Sequence, residues 1–189
     1  MENGADVNIR DRQGETVLCR LVEGTLESEN KRELTELLLQ CGANVNVMST
    51  AGITPLLYAW IIPSSMHLAP LLLEHGADIN ACDDKGTTLL MRACLNKYKL
   101  SVAKQLLDHG ANIDAVTEAG DSALMLICHP TTRPITTATL EKIELLLTYG
   151  ADLNLINKAG QTVCDISYSN QGVYNMLMET KHKSDFILK

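Results

Sequence analysis

One five-residue phrase returns five times along this chain. It reads Gly4-Ala-Asp-Val-Asn8, Gly42-Ala-Asn-Val-Asn46, Gly76-Ala-Asp-Ile-Asn80, Gly110-Ala-Asn-Ile-Asp114 and Gly150-Ala-Asp-Leu-Asn154. A second glycine follows each copy, at Gly14, Gly52, Gly86, Gly120 and Gly160, with separations of 38, 34, 34 and 40 residues. Self-similarity at such a period means an array of small units. No unit this short buries an apolar face alone, so neighbours must stack to share a core.

The segments between the phrases have helical texture. Leu37-Leu38-Leu39, Leu71-Leu72-Leu73, Leu106-Leu107 and Leu145-Leu146-Leu147 each run up to the next Gly-Ala. These leucines end an amphipathic helix, and Gly42, Gly76, Gly110 and Gly150 can take a positive φ and close it. The Asp/Asn-rich stretch then leads to the second glycine, which permits a tight turn. Thr16, Thr54, Thr88, Ser122 or Thr162 follows, placed to cap the next helix. Pro55 sits just after Thr54, where its missing N–H costs nothing. Each unit therefore reads turn, short helix, connector, second helix, turn. Pro70 falls where the second helix of its unit should be under way, so that helix is expected to start late, near Leu68, or to kink.

The phrase Gly52-Ile-Thr54-Pro55-Leu56-Leu57-Tyr58-Ala59 resembles the Gly-x-Thr-Pro-Leu-His-x-Ala signature of the ankyrin repeat, and the resemblance extends from Gly4 to about Lys181. It implies an all-α fold, an ankyrin-repeat solenoid of stacked helix-turn-helix units with β-hairpin-like turns. The expected units are a partial one at 1–8, then 9–46, 47–80, 81–114 and 115–154. A C-terminal cap over 155–181 and a tail over 182–189 would complete the chain. The cap's last helix is expected at about Val173 to Lys181. The family's His is replaced by Cys19, Leu57, Met91, Met125 and Asp165. Its helix-turn hydrogen bonds should be missing, and the array should be less regular for it. Two connectors are long, by 5 residues near 24–33 and by 7 near 129–139. Insertions in such arrays go to loops. The expectation is a solvated loop or a longer second helix, or else a partner-contacting or modifiable loop, with the Thr-rich second one the better candidate for that role. The first phrase has no helix before it, which suggests further units upstream, or self-association through the open end.

Composition excludes several function classes. The net charge is −7 and only 16 Lys and Arg are present, scattered, which argues against nucleic-acid binding. No apolar run approaches the roughly 18 residues of a membrane span. The six cysteines lie about one per unit, with no Cys-x-x-Cys pair, which fits reduced thiols in a cytoplasmic or nuclear, intracellular setting. Cys94 and Cys128 read as small buried hydrophobes, and Cys82, near a hairpin tip, as an exposed thiol. His75 and His109 occupy one repeat position before the helix-ending glycine, where a cation complements the helix dipole. Successive units are about 10 Å apart, too far for one metal ion. No phosphate loop, metal cluster or nucleophile–base pair is apparent, so no cofactor, no metal and no catalytic residues are expected, and the chain reads as a non-enzyme.

The resemblance also implies a binding face of hairpin tips and first helices, holding a protein partner. Carried over by position, the contact residues are Arg12, Glu15, Ile53, Tyr58, Ile61, Ile62, Asp84, Lys85, Thr87, Glu118, Asp121 and Lys158. Gln13, Thr50 and Gln161 join them at the tips, and Glu23, Leu95 and Asn96 on the first helices. The acidic Asp84, Glu118 and Asp121, with an apolar patch of Ile53, Tyr58, Ile61 and Ile62, suit a partner with a basic segment. Tyr58 and Trp60 also raise the idea of an aromatic cage for methylated lysine, against plain packing. The alternative functions are a reader of a basic peptide such as a histone tail and a structural spacer within a longer multidomain protein. Asn46, Asn80 and Asn154 are candidates for asparaginyl hydroxylation on the resemblance alone, against a turn-stabilising role.

Overall fold

The computed structural model of the chain describes residues 5–24, 28–95, 100–129 and 136–187. The described residues are helical, without a strand. They divide into two compact units, Met1–Asp83 and Asp84–Lys189. The first unit holds α1 (Val17–Glu23), α2 (Ser28–Gln40), α3 (Pro55–Ile61), a 3₁₀ segment (Pro63–Leu68) and α4 (Ala69–Glu74). Here α1 packs against α2 and α3, and α2 packs against the 3₁₀ segment. The second unit holds α5 (Leu89–Leu95), α6 (Leu100–Asp108), α7 (Ala123–Cys128), α8 (Thr137–Thr148), α9 (Val163–Ser167) and α10 (Gln171–Ile187). In it α5 packs on α6 and α7, α7 on α8 and α9, and α9 on α10. Short first helices alternate with second helices that are longer except for α4, with Leu18, Leu57, Leu68 and Leu72 buried in one unit and Leu106, Leu124, Met125, Ile143 and Leu146 in the other.

Local chemistry sets the boundaries. Thr54, Thr88, Ser122 and Thr162 accept hydrogen bonds from the N–H of the third residue on, at 3.3 to 3.4 Å. Thr16 does not, and its hydroxyl donates to Cys19 Sγ instead. Each second helix ends the same way. Gly42 N–H donates to Leu39 O at 3.0 Å and Ala43 N–H to Leu38 O at 2.9 Å, and the pattern recurs at Gly76, Gly110 and Gly150. This double closure needs a left-handed residue, and Gly42 has φ +83°.

Pro70, in the repeat spanning 47–80, acts as its chemistry requires. Residues Pro63–Leu68 form a 3₁₀ segment and the α-helix begins only at Ala69, with Pro70 in its first turn. The first insertion is taken up from Ser28 onward by the longer helix α2, while Thr25–Glu27 lie outside the described residues. Most of the second insertion, Pro130–Ile135, also lies outside them, so the Thr-rich loop is described only from Thr136, which forms a capping box with Thr139 and starts α8. Helix α10 spans Gln171–Ile187, longer at both ends than the Val173–Lys181 expected and reaching into the supposed tail. The places left by the family's histidine are partly refilled. Met91 Sδ accepts from Thr88 N–H at 3.4 Å, and Asp165 accepts from both the N–H and the hydroxyl of Thr162. The expected loss of helix-turn bonds is thus smaller than the sequence implies, because a thioether or a carboxylate at that place also accepts.

Two kinds of bridge tie successive repeats together. The Asn8 side chain donates to Gly42 O at 3.0 Å and accepts from Asn44 N–H at 2.7 Å, and Asn46 does the same with Gly76 O and Asp78 N–H. In the second unit Asp114, a carboxylate, only accepts, from Asp152 N–H at 2.9 Å. The other bridges are buried lysines. Lys31 Nζ donates to Val22 O at 3.2 Å and to Ser65 Oγ at 2.6 Å, and Lys142 Nζ donates to Ala93 O and Cys94 O at 2.9 and 3.0 Å. Each ammonium meets carbonyls near the C-terminal end of a first helix, where the dipole favours a cation.

Burial pushes the Lys31 ammonium below the lysine value of 10.5. The folded state therefore gives up this proton before the unfolded chain does. Stability is flat at lower pH, then rises as pH climbs from the lowered value towards 10.5. Urea unfolding across that window should show the rise. In Lys31→Met the rise should vanish, with a change within about 1 kcal/mol at neutral pH, since an apolar replacement of a buried charge is often neutral or better. A Cβ on Gly42 would meet nothing within 4 Å, whereas on Gly120 (φ +83°) it would lie 2.9 Å from Lys158 N and 3.0 Å from Asn157 Cα. Gly42→Ala should cost about 1 kcal/mol from the left-handed backbone alone, and Gly120→Ala clearly more, about 2 kcal/mol or above. Equal losses in chemical denaturation would contradict this account of the tips.

Candidate partner-binding surface

The hairpin tips are short turns closed by backbone bonds. Asp11 N–H donates to Glu15 O, Ser49 N–H to Ile53 O, Thr117 N–H to Asp121 O and Asn157 N–H to Gln161 O, all at 2.9 to 3.0 Å. Neighbouring tips are stitched as well. Thr50 N–H donates to Gln13 O in the first unit, and Glu118 N–H to Lys85 O and Lys158 N–H to Ala119 O in the second, each at 2.9 Å. Their spacing is therefore fixed by the main chain, and the side chains on them project from a firm base.

In the first unit the tips divide. Arg12, Gln13 and Thr50 are exposed, and Ile53, Ile61 and Ile62 are half-buried. Glu15 and Tyr58, expected on the binding face, are internal. Both are buried, and the Tyr58 hydroxyl donates to Glu15 Oε1 at 2.5 Å. Burial and this bond together raise the tyrosine hydroxyl above its ordinary range. Arg20 Nη1 lies 3.1 Å from the other oxygen of Glu15 and 3.0 Å from Glu23, and Arg20 Nη2 lies 2.6 Å from Asp11. The guanidinium holds the Asp11 carboxyl below the usual range. This Arg20 hub, which sequence reading passed over, occupies the acids that would otherwise face a partner. Trp60 is buried too, so neither ring of the supposed cage is presented.

In the second unit the sequence-derived residues converge. Lys85, Thr87, Glu118, Asp121 and Lys158 line one open groove of about 670 Å³, joined by Thr117, Ala119 and Leu126. Two lysines thus stand with two acids over a partly apolar floor, whereas the sequence reading stressed the acids Asp84, Glu118 and Asp121. Asp121 is fixed by Asn157 Nδ2, 2.8 Å from its Oδ1. Leu126 was missed, although it holds the same place on its helix as Tyr58, directly after the buried Met125, and that phase was the available signal. Asp84 is exposed but does not line the groove, Leu95 is half-buried, and Asn96 lies outside the described residues.

The remaining candidates have structural partners. The Asn46 amide is engaged on both sides by the next repeat, and Asn80 and Asn154 are exposed, with the Asn154 backbone N–H bound to Asp152. His75 and His109 each place Nδ1 against the carbonyl four residues before, Leu71 O and Gln105 O, at 2.9 and 2.8 Å, so each ring closes its helix end. No group of His, Cys, Asp or Glu among the described residues has the arrangement of a metal site.

Paired helices stacked through capped, glycine-closed tips define a helical repeat protein. Residues 25–117 match the family model for ankyrin repeats, in three copies, and this part of the chain is an ankyrin-repeat array. No curated protein matches the sequence. Among solved structures it resembles a chain in the complex described as the Bd0816 predatory endopeptidase from Bdellovibrio bacteriovorus with the immunity protein Bd3460. The two are 28% identical with a TM-score of 0.63, and the match covers 94% of this chain and 87% of that one. No described helix is long and apolar enough to cross a membrane.

Cysteine burial gives a check on the placement of these elements. Cys82 is exposed, while Cys94 and Cys128 are buried and burial pushes both thiols up to about 12. An alkylating reagent on the folded protein should label Cys82 and spare the other two until denaturant is added. Peptide mass mapping that found Cys94 or Cys128 modified first would contradict the helix packing around them.

Proposed function

We propose that this chain is a non-catalytic module that holds a protein partner along the hairpin tips of its second unit. Ankyrin repeats are generally protein-interaction modules, so the coarse reading follows from the family. The observation that carries the finer one is the groove, in which Lys85, Thr87, Glu118, Asp121 and Lys158 surround Leu126 on tips fixed by main-chain bonds. A preformed surface loses little entropy on binding, which favours affinity at modest area. An apolar anchor over Leu126 and Ala119 would supply most of the energy, with the charges setting rate and register. A basic side chain of the partner suits Glu118 and Asp121, while acidic groups beside it suit Lys85 and Lys158.

A second reading narrows the partner to an endopeptidase held by its immunity protein. It is favoured by the resemblance to a chain of that complex, which extends over most of both chains.

The test uses the whole chain to capture a partner, then the double variant Glu118→Lys with Lys158→Glu. Both positions are exposed, so far-UV circular dichroism and melting should be unchanged. Binding to the captured partner should weaken about tenfold, or roughly 1.4 kcal/mol. An undiminished affinity would place the contact elsewhere. Loss of a captured peptidase's activity on adding the chain would support the second reading, and an unaffected peptidase would remove it.

A further inference from the structure

Two hairpin arms of the second unit alternate between solvent and interior. Val116 and Glu118 are exposed with Thr117 half-buried between them, and Ile156 and Lys158 are exposed with the buried Asn157 between them. This is the period of two of an extended chain, whose successive side chains point to opposite sides, and Val116 also bridges Ser122 across its hairpin. Val116 and Glu118 therefore project from one side of their arm, as Ile156 and Lys158 do from theirs. Val116 and Ile156 hold one repeat position, six residues after Gly110 and Gly150. They are 47% and 66% exposed, although both are large and apolar. Lys158 N–H donates to Ala119 O at 2.9 Å and Asn157 Nδ2 to Asp121 Oδ1 at 2.8 Å, which holds the two arms side by side. The result is two short rows. One is apolar, Val116 and Ile156, and the other beside it is charged, Glu118 and Lys158, opposite in sign. Neither of these charges is in an ion pair among the described residues.

We propose that the protein partner docks an amphipathic α-helix across these arms, with apolar residues seven apart on Val116 and Ile156. On one flank of that helix a basic residue meets Glu118, and an acidic residue seven positions away meets Lys158. This helix occupies the site proposed above, at which the second-unit tips hold a protein partner, and so rests on that reading. Spacing selects the element. Stacked repeats recur at about 10 Å. Seven residues of α-helix span about 10.5 Å and return nearly to the same face. In a strand, same-face residues recur in steps of about 6.7 Å, and a residue 10 Å along points the other way. A helix thus meets both apolar rungs at once, and an extended segment meets one. Anchors at helical spacing are how an amphipathic helix engages an apolar surface. The charges set its direction, because a reversed helix would carry its charged flank away from Glu118 and Lys158.

The experiment selects binders to the full chain from two displayed peptide libraries of equal length. One is randomised over the surface of a single α-helix, the other over an extended, proline-punctuated segment. The helical library should yield binders with apolar residues seven apart and a basic and an acidic residue on one flank. Val116→Asp combined with Ile156→Asp should weaken them about tenfold. Val116→Thr with Ile156→Thr, which keeps β-branched side chains in the arms, serves if circular dichroism shows the first variant unfolded. Glu118→Lys combined with Lys158→Glu should also weaken them, and exchanging the peptide's two flank charges should restore binding. Binders that respond to the charge exchange but ignore Val116 and Ile156 would overturn the helix and leave the groove reading standing. Binders from the extended library alone would overturn it equally. Binders indifferent to all four positions, or none from either library, would remove both.

Discussion

No helix pair here can exclude water from its own leucines. That constraint governs the rest of the structure. A first helix of five to seven residues is too short to be stable in isolation and persists only because the next pair lies on it. Burial therefore passes from repeat to repeat, and each residue's environment depends on what stands beside its unit rather than on the unit itself. The contrast between Leu34 and Leu68, equivalent in sequence and opposite in exposure, is the direct expression of this.

Polar bridges keep the stacking in register. Asn8 and Asn46 tie the turn of one repeat to the turn of the next through both ends of an amide, which fixes distance and orientation together. Lys31 and Lys142 reach buried carbonyls that the short first helices leave unpaired. The same register sets the tips side by side, and the groove of the second unit is a consequence of it. Its lysines and acids come from three tips in successive repeats, so no single repeat contains the site.

Much of the architecture was legible in the sequence. The repeated Gly-Ala phrase gave the phase, the hydroxyl residues gave the helix starts, and Pro70 gave the late start of α4. These are local preferences of the backbone, read within a few residues of where they act. Five members of the groove were legible too, because a tip position is defined by its distance from the glycine turn. Glu15 and Tyr58 were placed on the surface by the same rule and are buried instead. Tyr58 bonds to the buried Glu15 across the repeat boundary, and nothing within one repeat announces a pairing between residues 43 apart. Leu126 was passed over because an apolar residue on a short amphipathic helix reads as core until its neighbours are placed.

By itself the sequence determined that the chain is an array of helix pairs, where the capped helices begin, and which glycines must be left-handed. Those outcomes follow from φ/ψ preference, capping and periodicity, all of them short-range. The tertiary structure alone decided which tip residues stay in solvent, which lysines lie inside, and that Leu126 joins the tip residues in one groove. Exposure and charge environment are properties of packing between repeats, set by residues tens of positions away, and no local pattern encodes them.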